Sequence, residues 1–201
     1  MLISVLTGLL SVVLAYFAGS IPFGLIIVKL MTGTDVREEG SGNIGATNVL
    51  RTTGRAAGIV TLILDAAKGL FAVWLADWLT GGSTLWMAAA AVAVLLGHAF
   101  SVWLKFTGGK AVASAVGAFA YLTPLPLLAV TLLFILVVVW TRYLSLGSIV
   151  ASGLLPVACW MILHPAWPVL VASAAAAILI VERHRGNIAR IRAGEERVFR
   201  I

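Results

Sequence analysis

The chain has 201 residues, of which 61% are hydrophobic and 11% charged, with a formal net charge of +6. Its mean hydropathy of +1.07 excludes an ordinary soluble domain, because no water-facing surface can be assembled from so few polar residues, and lipid must be the solvent. In a soluble protein the positive charge would suggest nucleic acid as partner; here the cations first need a membrane explanation, and no nucleic-acid partner is expected.

Read in chain order, the first apolar run covers residues 2–31 and is broken by Gly19-Ser-Ile-Pro22-Phe-Gly24. It can cross about 30 Å of hydrocarbon with a kink at Pro22. Met1-Leu-Ile-Ser lacks a basic start and the run is too long for a signal-peptide core, so no cleavable signal is expected. A polar, glycine-rich stretch fills residues 32–56. Further apolar runs cover 57–79, which carries Asp65 and Lys68, and 85–104. The stretch 111–141 would reach roughly 45 Å as one helix, more than a bilayer needs. Thr123-Pro-Leu-Pro126 divides it in two, the first part short and open to tilt or shielding. Helices over 146–163 and 168–183 complete the pattern. Cys159 lies within an apolar run and has no cysteine partner, so packing is its expected role. The expected fold is an all-α integral membrane protein of about seven crossings, with five or six as the alternative count, forming one transmembrane domain over residues 1–201.

Seven crossings put residues 32–56, 105–110, 142–145 and the tail from 183 on one side, and these hold twelve of the fourteen Lys and Arg residues. The opposite loops, near 80–84, 123–126 and 164–168, hold none. The positive-inside rule then places the C-terminus in the cytoplasm and the N-terminus outside. That rule alone accounts for cations such as Arg142, Arg192, Arg197 and Arg200. It does not ask for Asn43, Asn48, Asn187, His98 or His184.

The most distinctive stretch is Glu39-Gly-Ser-Gly-Asn-Ile-Gly-Ala-Thr-Asn-Val-Leu-Arg51. Gly40, Gly42 and Gly45 let the backbone turn tightly and approach a ligand; Ser41, Asn43, Thr47 and Asn48 add neutral hydrogen-bonding groups; Arg51 and Arg55 add planar cationic forks. Together these suit the grip of a phosphate, against the alternative of a plain connection between two membrane helices. Gly40-x-Gly42-x-x-Gly45 also fits a dinucleotide pattern, but a long apolar helix precedes it rather than a strand, and that reading fails. Two more clusters combine glycine, cations and an amide or imidazole: Gly97-His98 through Lys110, and Arg183 through Glu196. Three such clusters on one face point to an anionic substrate at the inner membrane surface.

Familiar catalytic templates are absent. The residues five beyond His98, His164 and His184 are Trp103, Val169 and Ala189, so there is no His-Asp acyltransferase pair. There is no Gly-x-Ser-x-Gly elbow, and Lys110 is followed by Ala111, which defeats a P-loop. Three histidines spread over two faces make no metal site, and no metal or cofactor is expected. Asp65 and Lys68 stand three apart on one helical face and are either a structural ion pair or part of the site's edge.

Gly40-Ser-Gly-Asn-Ile-Gly-Ala-Thr-Asn-Val-Leu-Arg51, Gly108-Gly-Lys110 after Gly97-His98, and His184-Arg-Gly-Asn-Ile-Ala-Arg190 with Gly194 and Glu196 resemble the three cytoplasmic motifs of the bacterial acyl-phosphate:glycerol-3-phosphate acyltransferases, the PlsY family. The resemblance extends over essentially the whole chain. Thr107, Ala111 and Gly186 depart from residues the family often carries there, lysine, glycine and glutamate respectively. The resemblance implies an enzyme of the bacterial cytoplasmic membrane that acylates the primary hydroxyl of glycerol 3-phosphate from acyl phosphate, giving lysophosphatidate and phosphate in the first step of phospholipid synthesis. It implies Ser41, Arg51, Lys110, His184 and Asn187 around the phosphates and reacting centre. Gly40, Gly42, Asn43, Gly45, Thr47, Asn48, His98, Gly108, Gly109, Arg185 and Glu196 would contact substrate or shape its loops. The expected partners are glycerol 3-phosphate, acyl phosphate and membrane lipid, with the chain a monomer. A membrane anion or phosphate transporter is the rival; its site would usually lie near the midplane between repeated halves, and no repeat is visible.

Overall fold

A computed structural model describes residues 2–199; Met1, Arg200 and Ile201 lie outside the described residues. All regular structure there is helical: α1 Leu2–Ser20, α2 Phe23–Thr32, α3 Ala46–Thr52, α4 Arg55–Thr80, α5 Thr84–Ala99, a 3-10 turn Val102–Leu104, α6 Val112–Leu122, α7 Pro124–Thr141, α8 Leu144–Leu163, α9 Trp167–Arg183 and α10 Arg185–Arg192. The chain forms two compact units, Met1–Tyr121 and Leu122–Ile201.

Five stretches are long and apolar enough to cross a membrane: Leu2–Thr32, Arg55–Thr80, Thr84–Leu104, Pro124–Thr141 and Leu144–Leu163. A sixth arises if α9 and α10, bent by 56° at their junction, count as one. The sequence reading counts seven because it includes α6, which has 11 residues and so rises only about 16 Å. Proline explains several boundaries. Pro22 separates α1 from α2, and Pro124 and Pro168 sit in first turns, where a missing amide proton costs nothing.

In the first unit the helices approach through glycines. A Cβ on Gly19 would lie 2.1 Å from the Val94 carbonyl oxygen, and one on Gly97 would lie 2.1 Å from that of Tyr16, so α1 and α5 meet backbone to backbone. Gly69 and Gly117 do the same between α4 and α6. In lipid, where no hydrophobic drive joins helices, such close contact supplies the packing energy. Outward faces carry Leu62, Ile63, Leu132, Leu136 and Val139, with Trp78, Trp103, Trp140, Trp160 and Trp167 exposed near helix ends, as expected of lipid-facing surfaces with interfacial aromatics.

In the second unit Arg142 closes α7 in the left-handed conformation, and its carbonyl accepts the Phe199 amide at 2.8 Å. The C-terminal tail is thereby laid back onto the α7–α8 junction.

Candidate active site

The first polar stretch folds as a loop on a small apolar base. Val36 is fully buried and packs with Val28, Ile44, Val49, Ala57 and Leu104. Above that base one side chain organises the backbone. Asn48 Oδ1 accepts the Ser41 amide at 2.8 Å, and Nδ2 donates to the carbonyls of Val36 and Glu39, each at 3.1 Å. An amide proton can only be donated and a carbonyl can only accept, so these partners fix which atom of Asn48 is oxygen. Asn48 is 2% exposed and its side chain is committed to the loop itself.

Gly40 and Gly42 take φ of 61° and 70°, the left-handed region, and a Cβ on Gly40 would stand 2.3 Å from Asn48 Oδ1. Asn43 Oδ1 accepts the Gly45 amide at 2.8 Å, an Asx turn that leads into α3. Ser41, Thr47 and Arg51 are exposed, while Asn48 and Val49 point inward. Upstream, Asp35 and Arg37 make an exposed ion pair at 2.6 Å. Hydrogen bonds from the Arg37 side chain and amide pull the Asp35 carboxyl down to about 2. The same partner raises the Arg37 guanidinium above its ordinary value.

The second cluster follows α5. Ser101 Oγ donates to the Ser20 carbonyl at 2.6 Å, tying the start of the 3-10 turn to the break in the first span. Thr107 Oγ1 donates to Leu104 O at 2.6 Å and so closes the turn. Gly109 N donates to His98 O at 3.0 Å. Lys110 follows, half-buried, and then Ala111 at φ 61°. A non-glycine residue there costs about 1–2 kcal/mol, which a glycine would avoid.

The third cluster lies at the bend between α9 and α10, in the second unit. His184 is buried, and its Nδ1 stands 2.7 Å from Ile180 O. A carbonyl accepts only, so Nδ1 carries a proton, which leaves Nε2 as the acceptor nitrogen whenever the ring is neutral. Glu196 gathers three donors: Ser145 Oγ at 2.8 Å and Asn187 Nδ2 at 2.6 Å on Oε1, and Arg190 Nε at 2.9 Å on Oε2. Burial raises the Glu196 carboxyl, but the bonds from Asn187, Ser145 and Arg190 outweigh it and hold it below its usual value. Arg185 is exposed and pairs with the exposed Glu182, one turn before it. Gly186 stands one turn before Arg190 and leaves that guanidinium to Glu196.

The structure thus places Ser41, Asn43, Asn48 and Arg51 in the first cluster, Gly108, Gly109 and Lys110 in the second with His98 of α5 against them, and His184, Asn187 and Glu196 in the third. Two partners escape sequence reasoning. Ser145 lies 51 residues from Glu196 and Ser114 lies 16 from His98, and neither belongs to a motif. Nor does the sequence reading find α3 or α10, which lie inside stretches read as loop and tail.

The family model described as glycerol-3-phosphate acyltransferase matches residues 9–194. The chain belongs to the glycerol-3-phosphate acyltransferase family. Relatives carrying that family name include one from Trichlorobacter lovleyi, 46% identical over 96% of this chain and 98% of its own length. Another, from Geobacter sulfurreducens, is 44% identical over 97% of this chain and 99% of its own. Among solved structures, the glycerol 3-phosphate form of PlsY, an integral membrane glycerol 3-phosphate acyltransferase, superposes with a TM-score of 0.90 at 37% identity, covering 96% of each chain. The lysophosphatidic acid form of PlsY gives 0.88 at 35% identity, over 96% of this chain and 95% of that one. The first two loops fall wholly within the matched residues; the third does as far as Gly194, with Glu196 just beyond.

Proposed function

We propose that this chain transfers a fatty acyl group from acyl phosphate to the primary hydroxyl of glycerol 3-phosphate, releasing lysophosphatidate and inorganic phosphate. The observation that carries the reading is the likeness, at a TM-score of 0.90 over 96% of the chain, to the glycerol 3-phosphate form of an integral membrane acyltransferase. The hydroxyl oxygen attacks the acyl carbonyl, the carbon–oxygen bond to phosphate breaks, and the leaving phosphate takes the hydroxyl proton. Phosphate is already a good leaving group, so the protein has mainly to align two anions and stabilise the developing oxyanion. That suits a chain rich in cations and without a His-Asp pair.

Arg51 serves as a planar fork on one phosphate and Lys110 as a compact charge on the other. Ser41, His184 and Asn187 act at the reacting centre. Gly40, Gly42, Asn43, Gly45, Thr47 and Asn48 shape the first loop; Gly108 and Gly109 shape the second; Arg185 and Glu196 serve the third. Residues 1–201 work as one monomeric acyltransferase domain of seven crossings in the bacterial cytoplasmic membrane, with α6 a short crossing shielded by its neighbours. The N-terminus lies outside and the loops near 45, 108 and 195 face the cytoplasm. Cys159 is fully buried, so single cysteines near 45, 82, 108, 166 and 195 can be tested with an impermeant thiol reagent. Labelling from outside is expected only at 82 and 166.

The direct test incubates purified protein with labelled glycerol 3-phosphate and either acyl phosphate or acyl-CoA. Lysophosphatidate is expected from acyl phosphate and little from acyl-CoA. Equal rates would overturn the donor assignment, and phosphate flux through vesicles without any lysophosphatidate would favour a transporter.

A further inference from the structure

Beneath the second loop lies a set of buried polar side chains that the proposed chemistry does not use. Asp65 and Lys68 on α4 are 2% and 6% exposed within a membrane-spanning helix, and His98 on α5 is 4% exposed. Lys68 Nζ stands 2.7 Å from Asp65 Oδ1 and donates to the Ile21 carbonyl at 2.8 Å. That carbonyl belongs to the break between α1 and α2, where Pro22 interrupts the helical ladder, and the Phe23 ring centroid lies 5.6 Å from the same ammonium. Asp65 Oδ1 is also 3.7 Å from His98 Nδ1, and the Ser114 hydroxyl is 3.2 Å from that nitrogen.

His98 touches the second loop on both sides of Lys110. Before Lys110, the Gly109 amide bonds the His98 carbonyl, and a Cβ on Gly109 would fall 2.1 Å from His98 Nε2. Gly108 is pressed as closely on the His98 carbonyl, 2.2 Å from its own imagined Cβ. After Lys110 comes Ala111, strained at φ 61°, and then Ser114 in the first turn of α6, held by the other side of the ring. A left-handed alanine persists only where its surroundings over-determine it.

We infer that His98, fixed from below by the Asp65–Lys68 pair, is a positioning residue that clamps Gly109 and Ser114 and so sets where Lys110 stands. This rests on the role proposed for Lys110. A buried ion pair seldom adds net stability over well-packed apolar residues of similar size, so stability alone does not call for one here. An ion pair anchored on the carbonyl of the helix break also references the second loop to the first span, on which the first loop is carried.

Stability and positioning separate in two double variants. Asp65→Leu/Lys68→Met removes both charges and leaves Ile21 O the Phe23 amide at 3.2 Å. Asp65→Asn/Lys68→Met keeps an oxygen toward His98. Three quantities are measured on each: Tm, amide hydrogen exchange across 107–114, and kcat/KM. Positioning requires Asp65→Leu/Lys68→Met to keep a Tm close to wild type while exchange in 107–114 rises about ten-fold and that near 80–84 does not change. Turnover should fall on the order of 10- to 100-fold, and Asp65→Asn/Lys68→Met should recover part of it. Wild-type exchange and turnover in both would overturn the inference. Should the doubles fail to fold, Ser114→Ala decides. Loosened exchange at 107–111 with lowered kcat and unchanged Tm supports the clamp, and wild-type behaviour refutes it. If the wild-type protein acylates nothing, the proposed function fails by itself, while exchange still judges whether His98 holds the loop.

Discussion

The first and third loops meet the same need with opposite chemistry. In the first, a neutral amide, Asn48, ties together three backbone groups of one short segment. In the third, a carboxylate of the tail, Glu196, ties together three side chains, Ser145 of α8 and Asn187 and Arg190 of α10. The difference follows from what each must hold. Backbone donors and acceptors mixed together need a group that does both, and a side-chain amide offers two N–H donors beside a carbonyl acceptor. Three donors, one of them a guanidinium, need an acceptor with charge. The first loop therefore depends on exact hydrogen-bond polarity and the third on ionisation.

Exchanging the polarity of each hub tests that contrast. Asn48→Asp keeps the acceptor for Ser41 but turns two carboxylate lone pairs toward the Val36 and Glu39 carbonyls in a site 2% exposed. An uncompensated buried charge costs roughly 3–5 kcal/mol, so glycerol 3-phosphate acylation should be lost and Tm should drop. Near-normal activity would mean that Asn48 does not organise the loop. Glu196→Gln should cost less, about 1.5–3 kcal/mol for weakening charged hydrogen bonds, and turnover should fall while most of the protein still folds.

A pH series sharpens the same point. The Glu196 carboxyl is held below its usual value, so its contribution is complete above the unfolded carboxylate range and lost as pH falls through the lower folded value. Exchange around 185–196 should loosen on acidification below about 4 in wild type and be insensitive to it in Glu196→Gln. Asp35 falls to about 2 by the same sign of effect, but its pair with Arg37 is exposed. Asp35→Asn should therefore change Tm and turnover little, within about 0.5 kcal/mol.

Much of this was open to a reader of the sequence because lipid-facing helices make a uniform background. Gly40 through Arg51 stand out from it by composition alone, and Pro22, Pro124 and Pro168 mark helix boundaries through their missing amide proton. The spacing of Asp65 and Lys68 offered an ion pair as one of two readings, and the structure contains that pair. The third partner, Ile21 O, was hidden, since a backbone carbonyl leaves no trace in residue type. The work of Asn48 was hidden too, because it depends on burial of Val36 twelve positions upstream. α3 and α10 lack a long apolar stripe; their 7 and 8 residues are too few to form alone and depend on the packing around them.

The central claim is that these loops grip phosphate during acyl transfer. It is tested most directly by kcat/KM for glycerol 3-phosphate in Arg51→Ala, Arg51→Lys and Lys110→Ala, with exposed Arg192→Ala as control, at matched folded protein. Each alanine variant in the site should lose about 2–4 kcal/mol of transition-state stabilisation, on the order of 30- to 1000-fold in rate, while the control should not. Arg51→Lys should also be impaired, because it keeps the charge and loses the fork. If all four turn over acyl phosphate like wild type, the cations serve only to orient the chain in the bilayer, and the active site lies elsewhere.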